Sequence, residues 1–177
     1  MGRDKAFLKI REKSLLQLAL EKAHALRLPH RVLSGKRPIK GVDCLLDSEG
    51  EGPLAGLYAA LQVFERVLII PVDTPFLPMG LLETLLEEGE MVDILVCEIN
   101  GRVQPQVGTY KRSCLLWIEQ AFTQGDWSLK GLLNRPLRRR VLRHNEVAVW
   151  GDPELMFFNI NTPEDLETAE MITGKGV

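Results

Sequence analysis

Val67-Leu68-Ile69-Ile70-Pro71-Val72-Asp73-Thr74-Pro75 is an apolar run that passes straight into an acid. Its hydrophobic residues follow one another instead of alternating, the pattern of a strand covered on both faces by helices. Working upstream, Pro53 suits the first turn of a helix reaching about residue 64, because proline lacks the amide hydrogen that this position leaves unpaired. Residues 42–46 read as a short strand ending at Asp47 and feeding the loop Ser48-Glu49-Gly50-Glu51-Gly52. Before them, leucines and alanines at 15, 16, 19, 20, 23 and 26 recur at helical spacing, with Ser14 placed to cap and Pro29 to end the run. Downstream, a helix is predicted over 79–88, a strand over 92–97, an Asn100-Gly101 turn and a returning strand over 106–110. Helices over 113–122 and 128–133, a strand over 155–158 and a last helix over 162–172 complete the chain. Helices alternating with apolar strands predict an α/β layered domain with a mostly parallel sheet.

The 177 residues, 45% of them hydrophobic, suffice for one core, so residues 1–177 are read as a single domain. Twenty-two basic and 24 acidic residues are well mixed and the net charge is −2, which gives no global field to draw nucleic acid or a membrane surface. No apolar run reaches the roughly 18 residues that span a bilayer, and the N-terminus, charged from Arg3, is wrong for a signal peptide. Cys44, Cys97 and Cys114 are widely spaced and form no CxxC pair, which fits a reducing cytoplasm and argues against a disulfide framework or zinc site. The basic stretch at residues 137–144 lacks interleaved aromatics and reads as a solvated strand face.

In open α/β sheets ligands sit beyond the carboxyl ends of the strands. Asp47, Asp73 and Asn159-Ile160-Asn161 all fall at such ends. Asp73, fenced by Pro71 and Pro75, is costly to desolvate without a cation. It suits Mg²⁺, which takes one or two carboxylates plus phosphate and water oxygens, or else it caps a helix or turn. Gly52 and Gly56 flank Pro53-Leu54-Ala55 at a helix mouth, where backbone amides favour an anion or the acceptor edge of a base, and where a tight loop is the plainer reading. Asn159 and Asn161 alternate with Phe158 and Ile160, so that on a strand both amides face one way; the plainer reading is that they cap the helix opening at Thr162-Pro163-Glu164.

Four segments together resemble the molybdenum cofactor guanylyltransferases. They are Met1-Gly2-Arg3-Asp4-Lys5-Ala6-Phe7-Leu8, Gly52-Pro53-Leu54-Ala55-Gly56-Leu57, the Pro71-x-Asp73-x-Pro75 element and Phe158-Asn159-Ile160-Asn161-Thr162-Pro163-Glu164-Asp165-Leu166. The Gln104-Pro105 pair, a plain turn on the rival reading, narrows the likeness to this branch of the nucleotidyltransferases. The resemblance implies a Rossmann-like three-layer fold. It implies transfer of GMP from GTP to the phosphate of molybdopterin with release of pyrophosphate, and Mg²⁺ as cofactor. By the same likeness Asp73 holds the metal, and Lys5 serves the phosphates as a point charge on a flexible stem. Asp47, Gly52, Pro53 and Leu54 line the nucleotide side, and Gln104, Asn159 and Asn161 the acceptor side. GTP, molybdopterin and a transient carrier or acceptor enzyme are the implied partners. The family carries a first strand and a glycine-rich loop of the form L-A-G-G-x-S-x-R ahead of M-G-x-D-K. No such segment stands before Met1, and the expectation is a chain that binds nucleotide weakly or not at all and is inactive or weakly active. The rival readings are a nucleotidyltransferase using CTP or another phosphate acceptor, and a non-catalytic pterin- or nucleotide-binding protein.

Overall fold

A computed structural model of the chain describes residues 5–47, 50 and 52–174. Met1–Asp4 of the first motif, Arg3 among them, and Ser48, Glu49 and Glu51 of the loop before Pro53 lie outside the described residues.

A 3-10 turn at Lys5–Phe7 leads into the hairpin β1 (Lys9–Ile10) and β2 (Lys13–Ser14), then α1 (Leu15–Ala25). Ser14 caps α1 as predicted: its hydroxyl accepts from the Gln17 amide while the Gln17 side chain accepts from the Ser14 amide, a reciprocal capping box. The two-residue strands β3 (Val32–Leu33) and β4 (Cys44–Leu45) pair in parallel as a sheet of their own. Then follow α2 (Pro53–Val63), β5 (Arg66–Ile69), α3 (Met79–Glu88), β6 (Ile94–Ile99) and β7 (Arg102–Lys111). The remaining elements are α4 (Leu115–Thr123), α5 (Leu129–Leu132), β8 (Arg139–Leu142), α6 (His144–Val147), α7 (Pro153–Met156) and α8 (Pro163–Gly174).

The four-stranded sheet has the order β5-β7-β6-β8. β7 runs antiparallel to both β5 and β6, whereas β8 is parallel to β6, so β5, β6 and β8 point one way and β7 alone is reversed. The α/β layered fold with most strands co-directional is thus present, with one inserted antiparallel strand made by the hairpin at Asn100-Gly101. Both turn residues have positive φ, 49° and 73°, as such a two-residue turn requires.

β6 shows why there are three layers. Ile94 and Val96 point into a core with Leu54, Leu57, Leu61 and Ile118 from α2 and α4, while Leu95, Cys97 and Ile99 point into a second core with Leu81, Leu82 and Leu85 from α3. Helices therefore cover both faces. The same continuous pattern in residues 66–72 predicts a strand buried on both faces, but strand structure ends at Ile69 and β5 is only half-buried. Its side chains do divide between the two cores, Val67 and Ile69 on one and Leu68 and Ile70 on the other. The difference is at its edge: among the described residues β5 pairs with β7 and with no strand on its other side. Beyond that edge a cavity of about 860 Å³ separates it from β3, with Val32 and Leu33 on one wall and Val67, Leu68 and Ile69 on the other.

The strand predicted over 155–158 is absent. Asp152 accepts from the Glu154 amide and Pro153 occupies the first turn, which makes this segment the short helix α7 and leaves residues 157–161 irregular. The basic stretch forms the outer edge strand β8, with Arg139 and Arg140 exposed. Arg140 pairs with Glu88 and Glu146, and Arg143 with Glu98, so these charges are satisfied locally.

Candidate active site

Asp73 lies in the turn that follows β5, on the rim where that strand ends. Thr74 beside it is buried, 3% exposed, and its hydroxyl donates to the Asn159 side-chain oxygen at 2.8 Å. The Asp73 carboxylate receives only a long contact from that hydroxyl, 3.5 Å, and makes no ion pair among the described residues. It caps no helix, since α3 starts at Met79 behind Pro78. A half-buried carboxylate without a cation of its own, fixed by a proline-bounded turn, fits a divalent ion held jointly with phosphate oxygens. Among the described residues no cluster of three or more His, Cys, Asp or Glu side chains is assembled for a metal, so Asp73 would act with ligand oxygens.

Ile160 is completely buried with Ile10, Leu15 and Ala169, which draws the N-terminal hairpin against the segment before α8. That packing brings Lys5 to Asn161: the ammonium donates to the Asn161 side-chain oxygen at 2.6 Å, 156 positions away in sequence. Capping of α8 falls to Thr162 and Asp165 instead. The Asp165 carboxylate accepts from the amides of Asn161 and Thr162, which holds its carboxyl below the usual range, and the Thr162 hydroxyl accepts from the Asp165 amide. Both asparagine side chains are thereby spared cap duty. They do not share one strand face, because no strand forms there; Asn159 is bound to Thr74 and Asn161 to Lys5, on either side of buried Ile160.

On the opposite flank, Asp47 follows β4, with its amide donating to the Gly35 carbonyl at 2.9 Å. Burial raises its carboxyl above the ordinary value and outweighs the favourable charge of Lys36. Gly56 gives it room: a side chain there would meet Leu33 at 3.2 Å and the Asp47 carboxylate at 3.5 Å. Gly52 adopts φ 85° and ψ −173°, a conformation open to glycine, and opens α2 without any side-chain cap. Pro53 occupies the first turn as predicted. Leu54 differs from expectation, for it is fully buried in the core beneath α2 and lines none of the cavities described. Lys36 and Arg37, which sequence reasoning passed over, line a cavity of about 820 Å³ shared with Asp47 and Gly52; their clue was a basic pair just after Gly35.

Gln104-Pro105 proves to be neither a turn nor a plain strand. Cys97 pairs with Gln104 and its neighbour Val96 with Gly108, so residues 105–107 bulge out of the ladder. Proline lacks the amide a ladder needs, and the Tyr110 hydroxyl holds the bulge by donating to the Pro105 carbonyl at 2.5 Å. The bulge turns Gln104 and Gln106 toward a cavity of about 320 Å³, lined also by Pro53, Thr74, Asn159 and Trp127. Pro53, Pro71 and Gln106 line the adjoining 860 Å³ cavity as well, where Asp73 and Asp47 stand, so nucleotide-side and acceptor-side candidates share one rim. Lys5 and Asn161, bound to each other, lie beside the Asp73–Ile160 junction.

The model of the MobA-like NTP transferase domain matches residues 1–147. The chain belongs to this family. A probable molybdenum cofactor guanylyltransferase from Geobacillus sp. (strain WCH70) is 29% identical over 181 residues, spanning 94% of this chain and 89% of that protein. A molybdenum cofactor guanylyltransferase from Desulfosudis oleivorans is 36% identical over 123 residues, 67% of this chain and 60% of that protein. The crystal structure of molybdopterin-guanine dinucleotide biosynthesis protein A from Archaeoglobus fulgidus superposes with a TM-score of 0.83 at 28% identity, covering 98% of this chain and 92% of that one. The 2-C-methyl-D-erythritol 4-phosphate cytidylyltransferase of Thermus thermophilus, 21% identical with a TM-score of 0.67 and covering 96% and 93% of the two chains, shares the fold. This MobA-like chain is therefore a nucleotidyltransferase by family, with the Rossmann-like architecture of those neighbours. No helix among its described residues is long and apolar enough to cross a membrane.

Proposed function

We propose that this chain is a cytoplasmic guanylyltransferase that moves GMP from GTP to the phosphate of molybdopterin. The observation that supports it best is the convergence of three distant segments at one rim, Lys5 on Asn161, Thr74 on Asn159, and the Asp73 carbonyl on the Ile160 amide. In this reading an oxygen of the acceptor phosphate forms a bond to the α-phosphorus of GTP as the bond to the bridging oxygen breaks, and pyrophosphate leaves with that electron pair. Such a transfer needs alignment and charge neutralisation more than a protein nucleophile. Asp73 would hold a Mg²⁺ ion, which would supply Lewis-acid stabilisation of the phosphates. Lys5, tethered by Asn161, adds a positive charge beside the Asp73 turn. The uncapped amides of α2 behind Gly52 offer donors to the nucleotide, and Asp47 offers an acceptor on the same flank. Gln104 and Asn159 orient the acceptor.

The test is transfer from labelled GTP to molybdopterin with CTP and ATP as competitors. Guanylyl transfer and pyrophosphate release with weak competition are expected. Preferential use of CTP would assign the cytidylyl chemistry named for the Thermus neighbour, and binding of pterin without transfer from any nucleotide would make the chain a binding protein.

A further inference from the structure

Trp127 is left without a role by the site as described. It stacks on Phe122 with ring centroids 4.4 Å apart and planes 27° from parallel, and Phe122 meets Tyr58 edge-on at 5.3 Å. One side of the indole is thus rigidly backed by the core, yet 39% of the residue stays exposed, and it forms a wall of the 320 Å³ cavity. Gly50 touches its benzo ring so closely that a side chain at that position would overlap it. The same cavity is lined by the bulge residues Gln104 and Gln106, whose amides carry both donors and an acceptor, and by Asn159, whose oxygen already accepts from Thr74 and whose amide hydrogens remain to donate. Lys130, exposed on α5, contributes a cation to the same cavity. About 320 Å³ is the lower end of small-ligand sites and too small for a macromolecular partner.

We infer that Trp127 is the stacking platform for the acceptor, which is a planar nitrogen heterocycle bearing an anionic group. This rests on the reading of the acceptor as a pterin phosphate. A flat, backed indole favours a ring over an aliphatic chain, the facing amides match the mixed donor and acceptor edge of a pterin, and Lys130 attracts its charge. A polyol phosphate of similar size would meet Lys130 but gain nothing from the indole.

Calorimetric titration with 6-hydroxymethylpterin phosphate and with glycerol phosphate tests this in the parent chain and in Trp127→Phe, Trp127→Ala and Lys130→Ala. Expected are a preference for the pterin in the parent and a loss of about tenfold or more in Trp127→Ala, from the usual worth of base stacking. Trp127→Phe should stay within about threefold of the parent, which separates lost stacking from a disturbed fold, and Lys130→Ala should weaken both ligands alike. Equal pterin affinity in parent and Trp127→Ala, or equal affinity of the parent for both ligands, overturns the stacking role while leaving GMP transfer intact. Absence of pterin binding to the parent overturns the acceptor reading and this inference with it.

Discussion

The amide of Ile160 donates to the carbonyl of Asp73 at 2.9 Å, so the acid after the edge strand is tied to the segment before the last helix by its backbone and not by its carboxylate. The neighbouring Thr74–Asn159 bond clamps the same junction through side chains. Position and charge of Asp73 are therefore separable.

Asp73→Asn follows directly. The substitution keeps the backbone bond and the side-chain shape, and the lost charge has no ion-pair partner among the described residues. Thermal unfolding should shift by no more than a few degrees, because surface changes away from strong interactions cost about 0.5 kcal/mol or less. Mg²⁺-dependent GTP binding and any turnover should fall to background. Equal Mg²⁺ dependence in mutant and parent, measured by calorimetry, would remove Asp73 from the metal site.

Lys5 and Asn161 should act as a pair. A charge-assisted hydrogen bond to phosphate is worth about 1.5–3 kcal/mol, so Lys5→Met should weaken GTP by roughly ten- to a hundredfold. Asn161→Ala alone untethers the ammonium and should cost less, and it should cost almost nothing further in the Lys5→Met background. Additive losses in the double mutant would show that Asn161 contacts the nucleotide or acceptor independently.

The layered fold, the α1 cap, the Pro53 start of α2 and the Asn100-Gly101 hairpin were legible because each rests on local chemistry written in adjacent residues. Three features were not. The antiparallel insertion of β7 between β5 and β6 depends on long-range pairing that apolar periodicity does not encode. Residues 155–158 carry strand-like side chains, but Asp152-Pro153 starts a helix first. The half-buried state of β5 depends on what lies beside its edge, whereas its sequence records only the two faces. At the site, resemblance pointed to Lys5 and Asn161, but only folding shows that they meet. Trp127 gave no recognisable signal, since a lone tryptophan is more often core, and the Lys36-Arg37 pair after Gly35 gave a weak one, since such charges are more often solvated.

Asp47 should show a conflict between function and stability. Burial raises its carboxyl above the ordinary aspartate value, near 3.8, so the charged form is disfavoured in the folded state. The sign follows: the penalty is absent below pH 3.8, grows as pH rises through the elevated folded value, and is fully present above it. Asp47→Asn should therefore unfold at a higher temperature than the parent at pH 7, with the difference vanishing toward pH 3.8, and should bind GTP more weakly. A mutant destabilised at neutral pH would show that the carboxylate makes a stabilising contact.

Gly50→Ala should be disruptive out of proportion to its size. Gly50 has φ 69°, and an added Cβ would stand 1.8 Å from a ring atom of Trp127. Backbone strain and overlap together predict a loss of about 1–3 kcal/mol in stability or a displaced loop. Combining it with Trp127→Ala should recover the part due to overlap but not the part due to φ. A Gly50→Ala chain with parental denaturation midpoint and parental GTP affinity would rule the contact out.

The last expectation concerns the cavity between β3 and β5. Both walls are apolar, both bounding strands have an open edge on that side among the described residues, and strands in a sheet stand about 4.8 Å apart. An added apolar strand seated there would satisfy the edges of both sheets and join them. If it continued into a glycine-rich loop of the L-A-G-G-x-S-x-R form, the loop amides would reach the rim shared by Asp47, Gly52 and Asp73. Two such amide–phosphate contacts are worth about a hundredfold or more in affinity. A version extended at its N-terminus with this strand and loop should show a higher unfolding temperature, slowed amide exchange across Arg66–Ile69, and GTP binding tighter by that factor. A control extension of the same length with the apolar strand residues replaced by serine should do none of these. If the two extensions behave alike, the cavity does not take a strand, and among the described residues Lys5, the α2 amides and Asp73 are left to hold the nucleotide phosphates.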